Sequence, residues 1–132
     1  MIFLLDSNSC IGYLNGRSAN IRQHMEAVQP QEVMLCSVVK AELIYGAMKS
    51  ARVAENFTRI EAFASRFVSL PFDDAAAEAY GDIRVRLERQ GRTIGPNDLL
   101  IAAIALARNV TLVTHNTREF SRIEELRLED WE

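Results

Sequence analysis

Three short stretches, MIFLL at residues 1–5, VMLC at 33–36 and VTLVT at 110–114, are apolar without alternation, and this limits the fold more than any other feature. A strand with one wet face alternates polar and apolar residues, whereas a strand covered on both faces reads as a short continuous apolar run. The segments between the runs have helical length and punctuation. Asn8 or Ser9 is placed to cap a short helix through Leu14, with Gly16 as its stop. Ser18 opens an amphipathic helix to about Val28, which Pro30 ends. Ser37 is placed to cap a helix over VVKAELIYGAMKS, and ARVAENFTRIEAFASRF repeats Phe57, Ile60, Phe63, Ala64 and Phe67 at helical spacing, so these two predict a helical hairpin. Val68–Leu70 is a further short strand. Asp73 caps a long helix from about Asp74 to Gln90 that Gly91 terminates, and Pro96 suits the first position of a helix ending near Asn109. A turn of helix at Glu119–Ser121 and an edge strand at Arg127–Glu129 complete the pattern. Strands alternating with helices, and apolar on both faces, predict the α/β class: one domain over residues 1–132, with a central parallel sheet of four to five strands flanked by helices.

Composition removes several function classes. No apolar run approaches the roughly 18 residues of a membrane span, and MIFLLD reaches an acid too early for a signal peptide, so a cytoplasmic protein is expected. Cys10 and Cys36 lack CxxC spacing and neighbouring histidines, which predicts two buried thiols and no zinc site. The net charge of −3 denies a general attraction to nucleic acid, yet 13 of the 15 basic residues are arginine, whose planar fork suits phosphate. RVRLERQGR, residues 84–92, is the densest group; taken alone it reads better as a solvated helix face. Neither GxxxxGK nor GxGxxG occurs, which disfavours a nucleotide-binding enzyme.

In a parallel α/β sheet, ligands bind beyond the carboxyl ends of the strands. That rule selects Asp6, directly after the first strand, and Asn116, after VTLVT. It also selects Asp98, about the third residue of its helix, ahead of the apolar run LLIAAIALA, and Glu42, one turn into a helix that follows the second strand. Asp6 and Asp98 have a structural explanation of equal weight, as a cap and as a partner of the helix dipole. Glu42 is flanked by Val38, Val39, Ala41, Leu43, Ile44 and Tyr45, so it is expected to be partly buried, and a buried carboxylate needs a cation, a donor or a proton. Three acids meeting at one rim repel one another unless something positive lies between them. Oxygen ligands suit Mg²⁺ or Mn²⁺, and phosphoryl chemistry is the natural use of such a site.

LLDSNSCIGYL, SVVKAELIYGA, IGPNDLLIAA and TLVTHNTREF, in this order and spacing, resemble the PIN-domain ribonucleases, and closely the VapC-type toxins of bacterial toxin–antitoxin pairs. The resemblance runs from MIFLLD to LRLEDW. It implies a PIN-like three-layer fold, Asp6, Glu42 and Asp98 as metal ligands, Mg²⁺ or Mn²⁺ as cofactor, and an RNA substrate. It also implies a homodimer and a cognate VapB-like antitoxin that covers the site, through which alone operator DNA would be contacted. Close relatives cut structured RNA such as tRNA in the anticodon region, which makes initiator tRNA a candidate target. Ser7, Asn8 and Thr114 match polar positions expected to orient the acids or water. Many family members carry an acid where this chain has Asn116; Glu119 lies three residues on, so the fourth corner is Asn116 or Glu119, left open.

The expected chemistry is attack of a metal-activated water on an RNA phosphate, expelling a 3′-hydroxyl and leaving a 5′-phosphate. His24 is expected at the surface. His115 is close enough to the rim to touch substrate, and Arg118 and Arg84 to Arg92 are candidate phosphate contacts. The competing reading is a catalytically weakened module whose acids bind a basic partner segment; it would need no divalent metal. A phosphoacceptor receiver domain is disfavoured because LLDSN has a single acid and the lysines, Lys40 and Lys49, both precede the late strands.

Overall fold

The computed structural model describes every residue, Met1–Glu132. The chain runs β1 (Phe3–Leu5), α1 (Ser7–Leu14), α2 (Ala19–Ala27), a 3-10 turn (Pro30–Glu32), β2 (Val33–Cys36), α3 (Ser37–Met48) and α4 (Val53–Ala64). It continues with β3 (Val68–Leu70), α5 (Asp74–Arg89), α6 (Pro96–Arg108), β4 (Thr111–Val113), α7 (Thr117–Phe120) and β5 (Leu128–Glu129). Five strands form one sheet in the order β3-β2-β1-β4-β5, every neighbouring pair parallel. Continuous apolar runs thus become strands covered on both faces, as the sequence predicts: Phe3, Leu4 and Leu5 of β1 and Leu112 and Val113 of β4 are buried.

The first two crossovers travel one way across the sheet, β1 to β2 to β3, and the third returns past β1 to β4. Right-handed crossovers then place α1 to α4 over one face and α5 and α6 over the other, giving three layers. Helices α3 and α4 pack as the expected hairpin, and α5 lies along α6. Helix α6 buries Leu99 and residues 101–105, more than any other helix in the molecule. Each fully buried large aliphatic side chain there contributes roughly 1.5–3 kcal/mol. Pro96 takes its first position, where no backbone donor is needed, and Asn109 ends it at φ 55°, a left-handed conformation that asparagine tolerates. Gly16 and Gly91 stop α1 and α5 at φ 64° and 65°. No helix is long and apolar enough to cross a membrane. Both cysteines are free and buried.

Two helix starts differ from the expected ones. Asp6, rather than Asn8 or Ser9, caps α1, with its carboxylate accepting the Ser9 N–H at 2.8 Å. The helix begins at Ser7, directly after Asp6, so the Asp reaches its first exposed amides. Ser37 does not cap α3 but is its first residue; the cap position is Cys36, without a side-chain hydrogen bond. The short helix near Glu119 starts at Thr117, β3 spans Val68–Leu70 as expected, and β5 is trimmed to the two residues that find ladder partners.

Candidate active site

A sheet whose connections reverse direction leaves a crevice at the carboxyl ends of the two strands flanking the reversal. Here those strands are β1 and β4. Asp6 is the residue after β1, and its backbone N–H donates to the Val113 carbonyl at 3.1 Å, which fixes it against β4. Its side chain is buried, 6% exposed, and is held by the Ser9 N–H and by the Thr114 hydroxyl, while the Ser9 hydroxyl donates to the Val113 carbonyl at 3.4 Å. Thr114 is fully buried and also accepts the Asn116 N–H at 3.0 Å, so one hydroxyl organises both strand ends. Burial raises the Asp6 carboxyl above its ordinary value; the hydrogen bonds from Thr114 and Ser9 oppose this, and the nearby Glu42 adds to it.

Glu42 comes from α3, half-buried as expected, and accepts a 2.5 Å hydrogen bond from the Ser7 hydroxyl at the start of α1. Asp98 occupies the third position of α6. Its carboxyl is pushed up to about 6, first by burial and then by the charges of Glu42, Asp6 and Glu119. Glu119, from α7, accepts a 2.6 Å hydrogen bond from the Asn116 side-chain amide. Four acids from four separate parts of the chain are therefore electrostatic neighbours at one rim. Both candidates for the fourth corner are there, and they are joined: the amide steadies the carboxylate.

None of these four carboxylates lies within 4.0 Å of a basic nitrogen, although eight such ion pairs form elsewhere. Carboxylates buried without a cation are costly, and here the cost shows as raised proton affinity at Asp6 and Asp98. The available donors are all oxygens, from Asp6, Glu42, Asp98 and Glu119 with hydroxyls and an amide beside them. That set fits a hard divalent cation such as Mg²⁺ or Mn²⁺ and does not fit zinc or copper.

The other candidate residues divide. Ser7 and Asn8 line a cavity of about 430 Å³ together with Glu42, Tyr45 and Asn97. Arg118 is exposed on α7, next to Glu119 in sequence, and forms no ion pair. His115 is exposed and drawn outward: its Nδ1 lies 3.0 Å from Asp130 Oδ2 and 3.6 Å from Glu132 Oε2. His24 is exposed and stacks on Trp131 with ring centroids 5.0 Å apart. Within 84–92, Arg84 pairs with Glu88, and Arg86 with Asp82 and Glu125, so the solvated-face reading describes those two. The sequence offers Ser9 only as a helix cap, whereas its backbone N–H holds Asp6, and it does not single out Tyr45 and Asn97 beside Glu42. A Ser three residues after a capping Asp was the available signal for the first.

The PIN domain family model matches residues 3–126. The tRNA(fMet)-specific endonuclease VapC of Shigella flexneri is 45% identical over 129 residues, 98% of this chain and 97% of that protein. Ribonuclease VapC2 of Rickettsia felis is 39% identical, covering 100% and 99%. Among solved structures, the DNA-bound VapBC of Salmonella typhimurium superposes with a TM-score of 0.93 at 39% identity, covering 99% of this chain and 98% of that one. The VapBC2 complex of Rickettsia felis bound to a promoter DNA fragment also gives 0.93, at 38% identity over the whole of both chains.

Proposed function

This chain belongs to the PIN-domain family and, within it, to the VapC-type ribonuclease toxins, and from that premise we propose that it is a Mg²⁺- or Mn²⁺-dependent endoribonuclease acting in the cytoplasm on structured RNA. One observation carries the proposal: four carboxylates, at the point where the sheet reverses, with no protein cation to compensate them. The similarity to a tRNA(fMet)-specific endonuclease makes initiator tRNA, cut in the anticodon region, the substrate of choice. The VapBC complexes among its structural neighbours support a VapB-like antitoxin as partner. The proposal further takes promoter DNA to be reached through that partner and a homodimer to be the working form.

In this mechanism Asp6, Glu42 and Asp98 would hold the metal, and a divalent ion there would lower the pKa of water and offset charge developing on the phosphate. Everything else is positioning by the chain. The α1 cap and the Thr114 hydroxyl fix Asp6 in one rotamer, and Ser7 fixes Glu42. The apolar interior of α6 anchors the helix that presents Asp98. Asn116 holds Glu119 at the fourth corner, where this pair orients water, and Arg118 is free to meet a substrate phosphate. Water attacks the phosphorus in line and the 3′-oxygen leaves, so the fragments carry 5′-phosphate ends.

The test uses purified, antitoxin-free protein with tRNA in Mg²⁺, in EDTA and as the Asp98→Asn variant, followed by sequencing of fragment ends. Cleavage that needs both metal and Asp98 is the expected result. One observation favours the binding-module alternative: the neutral Asn116 where many relatives are acidic. Folded, metal-loaded protein that cuts neither tRNA, ribosomal RNA nor messenger RNA would establish that alternative.

A further inference from the structure

Tyr45 is a large side chain left 64% exposed on a helix whose other face is core. It sits one turn beyond Glu42 on α3, at the three-residue spacing that makes helical side chains neighbours. The two line one cavity of about 430 Å³ with Ser7, Asn8, Ile11 and Asn97, within the range of small-ligand sites. Its chemistry is graded. Glu42 belongs to the acid rim. Tyr45 and Ile11 supply an aromatic and an aliphatic wall. The side-chain amides of Asn8 and Asn97, each able to donate and accept, make no hydrogen bond within the chain. The Lys49 ammonium lies 5.2 Å from the centroid of the Tyr45 ring, adding a positive charge beside an otherwise acidic site.

We propose that this cavity is a nucleobase subsite, in which Tyr45 stacks the unpaired base next to the scissile phosphate while Asn8 and Asn97 meet its edge and Lys49 meets the adjoining backbone. The inference rests on the ribonuclease reading and adds a specificity element to it. Sequence-selective recognition of RNA targets loops, whose unstacked bases can be splayed onto aromatic rings and hydrogen-bonded along their edges. An exposed aromatic and two unengaged amides within one cavity that also reaches a reaction-centre acid, with a cation over the aromatic ring, match that requirement. A purely apolar segment would bury both amides unpaired.

Two readouts separate this subsite from the chemistry. Anticodon stem–loops of initiator tRNA, carrying 2-aminopurine at one loop position at a time, are titrated with the Asp98→Asn protein in Mg²⁺. Quenching at a single nucleotide adjoining the cut bond is expected, lost in Asp98→Asn/Tyr45→Ala and kept in Asp98→Asn/Tyr45→Phe. In the otherwise wild-type protein, Tyr45→Ala lowers kcat/KM about 5- to 150-fold, the range for removing one base-stacking ring, and Tyr45→Phe restores it. Quenching at no position, quenching indifferent to Tyr45→Ala, or unchanged cleavage overturns the proposal. Conversion from dimer to monomer by Tyr45→Ala, or loss of antitoxin binding with cleavage intact, assigns the side chain to a protein interface and also overturns it. Should the wild-type protein cut no RNA, the nuclease reading fails, while the quenching experiment still decides the subsite.

Discussion

The acids at the crevice and the acids along α5 are the same residue types in opposite circumstances. On the outer surface Asp73 lies 2.7 Å from Arg108, Glu88 3.2 Å from Arg84, and Arg86 bridges Asp82 and Glu125. The Asp73 carboxyl is held below its ordinary value by the Ala76 N–H and by Arg108, and that of Glu125 by Arg86. At the crevice no arginine is within reach, and Asp6 and Asp98 shift the other way. A chain with thirteen arginines has the means to neutralise these acids and does not. The difference teaches that the crevice is kept electrostatically unsatisfied, at a cost in stability that the proposed cation would offset.

The contrast can be broken at four points. The largest effect belongs to Asp98→Asn, which lowers tRNA cleavage by about 10²–10³-fold, the range for deleting one group that stabilises developing charge. The fold survives, because Asn keeps the volume and the apolar run behind it is untouched; circular dichroism and end-sequencing of fragments check both halves. Next is the pH dependence of stability in EDTA. Asp98 titrates at about 6 in the fold against an ordinary 3.8. The folded state therefore binds its proton more tightly, and that stabilisation is complete below pH 3.8 and lost as pH rises through about 6. The melting temperature of Asp98→Asn relative to the native protein should climb across this interval by a few °C, then level off; a gap that shrinks with rising pH would refute the assignment.

Third, Asn116→Asp adds a charge beside Glu119. It should tighten Mg²⁺ binding about fivefold, the equivalent of ~1 kcal/mol of added attraction, while lowering the melting temperature in EDTA. Calorimetric titration with Mg²⁺ measures the first, and an unchanged affinity would remove Asn116 from the site. The smallest effect is on the paired surface. Arg86→Ala removes two exposed ion pairs and should cost no more than about 1 kcal/mol, with cleavage unaltered. A large loss of cleavage there would show that α5 carries part of the RNA surface.

Much of this architecture is legible locally. Continuous apolar runs announced buried strands, Pro96 and Asn109 delimited α6, and Asp73 and Ser18 capped α5 and α2 through the very amides their spacing suggests. Asp6 and Asp98 were legible because one directly follows a strand and the other lies in the first turn of a helix, and Glu42 because it stands among apolar residues one turn into α3. What sequence alone does not contain is which strands become neighbours. That β1 lies against β4, and so Asp6 against Thr114, is a pairing across more than a hundred residues, decided by the packing of the whole sheet. The Tyr45 cavity was hidden for the same reason, since α1, α3 and the start of α6 wall it together. The cap of α1 was misplaced because Asp6, Asn8 and Ser9 are all good caps, and only the true end of β1 decides among them.

The pairing of β1 with β4 also has a consequence in time. During synthesis, strands β1, β2 and β3 can emerge and dock with Asp6 and Glu42 already present, but the other half of the crevice is still missing. Asp98, the Thr114 hydroxyl that steadies Asp6, and Glu119 all lie in the last third of the polypeptide. Long-range pairing of this kind is slow to form, because loop closure must precede its reward. A nascent chain on the ribosome, surrounded by the RNA it is proposed to cut, therefore stays inert until nearly all of it has been made, and any message broken upstream of β4 yields a product with no working crevice.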